Sequence, residues 1–322
     1  MNLRIRHLLA PLTAALSLAL LTTATGGAAA AAGMKGQPEL PAAAAADLRK
    51  LAADVIIPVG DAGRSRTAIL TLVEANATTD WTAVVAPALR EENTYTALLA
   101  TLEDALEAQK KDADRMFIRY NILKTYLYRA RLLPNPDRRP VLAAATRYAS
   151  AIDKAERDPA LWEVVGDVFA ESGTLDSAFA AYKRMQTGGA PPNRVQYKTA
   201  YAYHRANRLT PARQAYEAGI TADARSADSG RETLHLLYQG LAAVHFQEGR
   251  TREAADALLR SAKVAQDPDS PYRLRLDLAY LLLERGYATT VKQYAEAAVK
   301  LNPEDTEAKS LLEEATQKAG DA

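Results

Sequence analysis

The second half of the chain repeats one pattern of residue sizes about every 34 residues. With Pro159 counted as position 1, positions 8 and 20 are small in most copies, position 15 suits a left-handed turn and position 24 is mostly large. The later copies keep these positions if eight residues (225–232) are inserted before the third copy and three more before the fourth. The residues at positions 8, 15, 20 and 24 are Gly166, Gly173, Ala178 and Tyr182; Ala200, Asn207, Ala212 and Tyr216; Ala242, Gly249, Ala254 and Leu258; and Ala279, Gly286, Val291 and Ala295. A repeat of this length indicates stacked units that each pack on their neighbours.

The sizes of these residues predict two antiparallel helices in each repeat. Small side chains at positions 8 and 20 let the two helices approach closely, and the large side chain at position 24 fills the space between neighbours. A residue that tolerates a positive φ at position 15 ends the first helix. Four dipeptides place a capping side chain before a proline, which predicts helix starts at those prolines. They are Asp158–Pro159, Thr210–Pro211, Ser270–Pro271 and Asn302–Pro303.

This pattern resembles that of tetratricopeptide (TPR) repeats, which carry W-x2-L-G-x2-Y, then A-x3-F and then P in each unit. The stretch "LWEVVGDVFAESGTLDSAFAAYKRM" (161–185) resembles the pattern at nearly every marked position, and "YAEAAVKLNPED" (294–305) resembles a repeat ending. Trp stands at position 4 in the first copy only. The resemblance implies an all-α fold, a right-handed TPR-type helical solenoid with four repeats over 159–304, an N-terminal helical region and a C-terminal capping helix.

The residues just before the four repeats predict a weaker copy of the same unit. Residues 114–158 are predicted to form a degenerate TPR-like helix pair, because Ala144 and Tyr148 lie one period before positions 20 and 24 of the first clear repeat. The proline-rich stretch 132–140 predicts a turn, and 141–156 predict the second helix.

The remaining segments differ in composition. Residues 33–46 hold two prolines, two glycines and an alanine run, which predicts a linker. Residues 47–113 are predicted to form an N-terminal helical region, which is either further repeats or a separate domain. Residues 305–322 are predicted to form a capping helix and tail, because the apolar residues from Ala308 to Ala319 share one stripe and charged residues occupy the rest.

The N-terminal residues 1–32 have the order of parts of a secretory signal peptide. Arg4 and Arg6 form a basic start, an apolar stretch of 14 residues follows (8–21), and small residues suited to cleavage come next. That stretch is shorter than the roughly 18 residues expected of a membrane span. We therefore predict a periplasmic protein exported by a cleaved signal, with a secreted form or an anchor formed by an uncleaved signal as the alternatives.

Composition and motifs argue against several functions. Lys and Arg number 40 and Asp and Glu 39, so no basic excess indicates nucleic acid as a partner. Without cysteine the chain has no disulfide, Cys-ligated metal site or catalytic Cys. The sequence lacks the usual phosphate-binding, serine-hydrolase and zinc-protease motifs. We predict no catalytic, cofactor-binding or metal-ligating residue, and hence a protein that is not an enzyme. His245 takes a packing position, and His235 is predicted to be partly exposed.

The resemblance also implies a binding surface, because the first helices of TPR units line a concave groove. The first helix of the second repeat carries a basic and aromatic stripe whose members are three or four residues apart. Tyr and Arg are enriched in binding hot spots. The equivalent positions of the first repeat are acidic (Glu163, Asp167 and Glu171). The predicted partner-binding residues are Arg194, Tyr197, Lys198, Tyr201, His204, Arg205, Phe246, Arg273 and Tyr280.

These features predict an exported protein–protein interaction scaffold that holds a peptide segment or a partner helix in the groove. The family resemblance implies a role in cell-envelope assembly, secretion or polysaccharide export. Three alternatives stay open: the stripe is ordinary surface, the protein is a structural spacer or oligomerisation module, or it is an accessory subunit of an envelope enzyme. The carboxylate clamp of some TPR domains is not predicted, because Tyr197, Tyr201 and Gly240 stand where its Lys and Asn residues are expected.

Overall fold

A computed structural model describes residues 92–108, 110, 112–223, 231–265 and 275–320. These residues form twelve α-helices and no strand. The helices are α1 (Glu92–Ala108), α2 (Asp112–Leu132), α3 (Asn135–Ser150), α4 (Pro159–Glu171), α5 (Leu175–Thr187), α6 (Pro192–Arg205), α7 (Leu209–Asp223), α8 (Arg231–Gln247), α9 (Thr251–Ala265), α10 (Leu276–Glu284), α11 (Ala288–Leu301) and α12 (Thr306–Gly320).

The chain divides into two compact units at Ala190 and Pro191. We call α1–α5 the first unit and α6–α12 the second unit. The predicted signal peptide (1–32), the predicted linker (33–46) and residues 47–91 of the predicted N-terminal helical region lie outside the described residues.

Four helix pairs lie where the repeats were predicted: α4–α5, α6–α7, α8–α9 and α10–α11. The residue at position 15 has a positive φ in every pair, from 56° at Asn207 to 89° at Gly286. The predicted left-handed turn is therefore confirmed. The residues at position 20, from Ala178 to Val291, are almost fully buried, as are the large side chains at position 24. The size pattern in the sequence is thus the packing pattern between paired helices.

The predicted helix starts agree with the structure at one of the three described sites. Asp158 caps α4 by accepting a hydrogen bond from the backbone N–H of Leu161 (2.7 Å), with Pro159 in the first turn. Pro211 does not begin α7, which starts two residues earlier at Leu209. Proline is tolerated throughout a first turn, because the N–H groups there have no partner within the helix. The start of α12 was also predicted wrongly at Pro303, since Thr306 is its first residue.

The helix pair before the four repeats departs from its predicted boundaries and register. α3 begins at Asn135, inside the stretch predicted to be a turn, and Pro140 lies within it. Its buried residues are Leu142, Ala145 and Ala149, so the predicted register through Ala144 is wrong by one residue.

The end of the second unit is covered by α12. Ala308, Leu311 and Ala315 of this helix are fully buried, and all three belong to the predicted apolar stripe. Asp305 begins the helix by accepting hydrogen bonds from the backbone N–H groups of Glu307 (3.0 Å) and Ala308 (3.1 Å). This helix therefore presents one face to the core and a polar face to solvent, as a terminal repeat requires.

Candidate functional site

The candidate site lies on the first helices of the second unit, α6, α8 and α10. We call this surface the first-helix face. Six of the nine predicted residues lie on α6, Phe246 lies on α8 and Tyr280 on α10. Arg273 lies outside the described residues.

Four of the predicted residues are buried, which corrects the expectation that the whole stripe is open surface. They are Tyr197, Lys198, Tyr201 and His204. The size pattern within one repeat does not predict this burial. It arises because α6 packs against α8 as well as against its partner helix α7, so side chains on more than one side of α6 are covered. Partner binding through these four residues stays a prediction.

The contacts of three of these side chains join α6 to the next helices. The Tyr197 ring lies 6.5 Å from the Tyr216 ring of α7, between centroids. Tyr201 packs with Ala243 of α8. His204 Nε2 lies 3.2 Å from Gln247 Oε1 of α8. Two tyrosines and a histidine predicted as binding residues therefore also hold the helices of the second unit together.

Four predicted residues are partly exposed: Arg194, Arg205, Phe246 and Tyr280. The Arg194 guanidinium lies over the Tyr197 ring, 5.8 Å from its centroid. The Phe246 ring lies 5.9 Å from the guanidinium carbon of Arg285, and Tyr280 donates a hydrogen bond to the backbone oxygen of Glu307 (3.3 Å). These residues are two aromatic side chains and two cations that are partly accessible to solvent.

Charge differs between the helices of this face. α6 carries two arginines and a lysine and no acidic residue, whereas α10 carries Asp277 and Glu284 and no basic residue. Residues 233–247 of α8 carry no Asp, Glu, Lys or Arg. The first-helix face is therefore basic along α6 and uncharged along most of α8.

An ion pair between a buried arginine and a partly exposed carboxylate next to this face has no counterpart in the sequence prediction. Arg275, just before α10, is buried and donates two hydrogen bonds to the Asp277 carboxylate (2.9 and 2.6 Å). Burial by itself raises the pKa of Asp277, but the hydrogen bonds and charge of Arg275 outweigh it, with help from backbone N–H groups, so this pKa is lowered. In the sequence, only the i, i+2 spacing of Arg275 and Asp277 could have indicated this pair.

Two of the three histidines of the second unit, His204 and His235, are more deeply buried than predicted. His245 is buried, which agrees with its predicted packing position. His235 was predicted to be partly exposed, but it is fully buried and its Nδ1 lies 2.9 Å from the Ser261 hydroxyl of α9. It directly precedes the buried residues Leu236 and Leu237. The ring is buried where α8 packs on α9, and the Ser261 hydroxyl gives it a polar partner there.

The acidic positions of the first unit hold its helices together. Asp167 accepts a hydrogen bond from the Tyr182 hydroxyl (3.0 Å), which joins α4 to α5. Glu171 accepts one from Arg131 Nε (3.2 Å), which joins α4 to α2. These carboxylates therefore have structural contacts in addition to the binding role suggested by their repeat position.

Within the described residues, no group of three or more His, Cys, Asp or Glu side chains could hold a metal ion. No helix in the same ranges has the length and apolar character needed to cross a bilayer.

No protein-family model matches the sequence, and no curated protein matches it. Among solved structures, the chain is similar to the crystal structure of the APC/C hetero-tetramer Cut9-Hcn1, with 12% identity and a TM-score of 0.31, over 84% of this chain and 53% of that one. The chain thus spans about half the length of that structure's chain. It is also similar to the P58(IPK) TPR domain, with 15% identity and a TM-score of 0.25, over 96% of this chain and 98% of that one.

Both identities and both TM-scores are low, so the fold assignment rests on the helices themselves. Four helix pairs share a positive-φ turn at one repeat position, and the same repeat positions are buried in each pair. On that geometry the described residues form an all-α helical repeat fold, as the sequence predicted.

Proposed function

We propose that the protein is a non-enzymatic scaffold that binds a segment of a partner protein on the first-helix face of the second unit. The observation that carries this proposal is the combination of partly exposed Arg205, Phe246 and Tyr280 with a helix, α6, that has three cations and no acid. Arginine and aromatic side chains supply most of the binding energy in protein interfaces, since they offer large contact area and directed hydrogen bonds.

Charge complementarity favours a partner segment that carries acidic side chains beside apolar ones. The acidic residues would face α6, and the apolar residues would contact the uncharged part of α8. Attraction between exposed charges is screened by salt, with a Debye length of about 10 Å at 0.1 M. Binding that depends on α6 should therefore weaken as salt increases.

We further propose that the protein acts outside the cytoplasm. The basic start, the short apolar stretch and the small residues of 1–32 support a cleaved signal peptide. A role in cell-envelope assembly, secretion or polysaccharide export would suit such a scaffold. Mass spectrometry of the mature N-terminus tests the location: a chain that begins near residue 31 or 33 supports export, and an intact Met1 on a cytoplasmic protein refutes it.

The binding proposal is tested by capture with matched surface variants. The groove variant is Arg205→Ala/Phe246→Ala, which changes two partly exposed side chains. The control variant is Arg252→Ala/Lys263→Ala, which changes two exposed side chains on the second helix α9. Alanine at Tyr197 or Tyr201 is unsuitable, because both are buried.

We expect the groove variant to lose affinity by more than about 1 kcal/mol per hot-spot residue, whereas the control binds as the wild type does. Equal binding by all three proteins would contradict the proposal. If the three proteins also self-associate equally in sedimentation, a structural spacer or oligomerisation module becomes the better account.

A further inference from the structure

Every histidine in the described residues lies in the second unit and is buried there. His204, His235 and His245 have exposed fractions of 7%, 0% and 6%. All three are on first helices, α6 or α8. Residues 24–190, which include the first unit, contain no histidine at all. Imidazole is the side chain whose charge ordinarily changes between pH 5 and 8, so the two units differ in their response to mild acid.

His204 lies in surroundings that oppose a positive charge on balance, although its hydrogen bond with Gln247 favours one. Its ring meets the edge of Tyr216 on α7 (6.3 Å between centroids), and Nε2 faces the neutral Gln247 of α8. The charged groups that act on it are Arg205 on its own helix and Arg275 before α10, and both repel an imidazolium. Nδ1 is buried without a hydrogen-bond partner among the described residues. A proton added at Nδ1 would therefore place an unpaired N–H beside two guanidinium groups.

His245 lies at the end of α8 with a carboxylate near it but out of hydrogen-bond range. Its Nδ1 is 3.9 Å from Glu248 Oε2 and has no hydrogen-bond partner in the described ranges. The same Glu248 oxygen is 3.3 Å from Arg213 of α7 and 3.3 Å from Arg250.

The other charges that act on His245 are Glu217 of α7 and Glu253 of α9, whose attraction opposes the effect of Arg250. Burial is the largest influence and lowers the pKa of His245. Since Glu248 is already shared by two arginines, it compensates only part of the cost of charging this imidazole.

We propose that the second unit is an acid-sensitive module, in which protonation of His204 and His245 weakens the contacts between α6, α7, α8 and α9 while the contacts of the first unit keep their strength. The inference does not depend on the proposed binding function. If that function holds, mild acid would also release the partner, because α6 and α8 form the first-helix face.

The direction of the effect follows from the position of the proton. Burial, aided by Arg275 and Arg205, lowers the pKa of His204 to about 4 in the folded protein. An unfolded chain has a histidine pKa of about 6.5, so the unfolded state binds more protons between these values. The stabilisation from neutral His204 is complete above pH 6.5 and is lost as the pH falls toward 4. At pH 5.5 this one group shifts the folding equilibrium toward the unfolded state by about tenfold.

Ordinary carboxylates act in a lower pH range. Unfolded Asp and Glu titrate near pH 4, so their protonation changes the folding equilibrium mainly below about pH 5. The interval from pH 6.5 to 5.5 therefore reports on imidazoles, which only the second unit contains among the described residues.

Hydrogen–deuterium exchange at pH 7.5 and pH 5.5, corrected for the intrinsic exchange rate, tests the proposal on the intact chain. We expect protection of peptides from 192–265 to fall at least tenfold at pH 5.5, with peptides from 112–187 unchanged. Both tryptophans, Trp81 and Trp162, lie within 24–190, so their fluorescence should also stay constant over this interval.

Two separate variants identify the groups responsible. His204→Gln replaces the imidazole with a polar amide that does not titrate. His245→Phe supplies an apolar ring, as Phe169 does at the same position of the first repeat. Each variant is compared with itself at the two pH values, so a lower stability at pH 7.5 does not affect the result. We expect each to reduce the loss of protection by severalfold, and Phe169→Tyr, a matched change in the first unit, to leave it unchanged. Equal loss of protection in both units, or an undiminished loss in both histidine variants, would overturn the proposal.

Discussion

Replacement of Gly166 by alanine tests how tightly α4 and α5 are packed. A Cβ atom at Gly166 would lie 2.5 Å from Cδ1 and 2.9 Å from Cζ of Tyr182, and closer still to Cε1. Ordinary contacts between carbon atoms are about 3.5–4.0 Å, so the ring would have to move by about 1 Å. The ring has little room to move, because it is 1% exposed and its hydroxyl donates a hydrogen bond to the buried Asp167.

The opposing contributions can be compared in size. Overpacking a core costs about 1–3 kcal/mol. Displacement of the ring would also break the hydrogen bond to Asp167, which costs about 1 kcal/mol more. Alanine gains about 1 kcal/mol over glycine in a helix interior. Gly166→Ala should therefore lower the free energy of unfolding by about 1–3 kcal/mol, on the same estimates.

Urea denaturation followed by tryptophan fluorescence and circular dichroism measures this change. A matched double variant, Gly166→Ala/Tyr182→Leu, copies the third repeat, where Ala242 and Leu258 occupy the same two positions and are both buried. The loss in free energy of unfolding of the double variant should be smaller than the sum of the losses of the two single variants by at least about 1 kcal/mol. If Gly166→Ala is more stable than the wild type by about 1 kcal/mol, helix propensity alone decides and the packing argument is refuted.

Other substitutions test the remaining structural claims by the same denaturation assay. Asp158→Ala removes the cap of α4 and should lower the free energy of unfolding by about 1 kcal/mol; an unchanged midpoint would show that the cap contributes nothing. Alanine adopts a positive φ less readily than asparagine or glycine, so Asn207→Ala at φ 56° should lower the free energy of unfolding by about 1 kcal/mol. Asn207→Gly should lower it by less, and the reverse order would contradict a left-handed turn in solution. Gly240→Ala would place a Cβ 2.6 Å from the Tyr216 hydroxyl oxygen and should lower the free energy of unfolding by about 1–3 kcal/mol. Removal of the hydroxyl in Tyr216→Phe/Gly240→Ala should restore little of this stability, because the Cβ also clashes with the ring carbons.

Features fixed by neighbours close in the chain could be predicted from sequence. The turn at Asn207 was predictable because few residue types adopt a left-handed backbone, and the cap at Asp158 because an acceptor before a proline satisfies the start of a helix. The buried positions 8, 20 and 24 were predictable because four copies of one pattern average out the exceptions in any single copy.

Features that depend on the next helix could not be predicted in this way. Tyr197 and His204 were assigned to an open surface because the size pattern gave no sign that their rings meet Tyr216 of α7. Their burial depends on α7 and α8. The sequence feature that could have indicated this packing is Gly240, because a glycine inside a helix suggests close approach of a neighbour, here the Tyr216 ring. The register of α3 failed for a related reason, because one degenerate copy gives no repetition to correct an error.

The central claim, that the first-helix face binds a partner protein, is tested most directly by photocrosslinking in cells. A photoreactive phenylalanine analogue is placed at Phe246 or Tyr280 on the first helices, and at Gln214 or Lys263 on the second helices, all of which are at least partly exposed. Our account predicts that both first-helix positions capture the same partner, that high salt in an extract reduces the yield, and that neither second-helix position captures it. Equal capture from all four positions, or capture from the second-helix positions alone, would contradict the account.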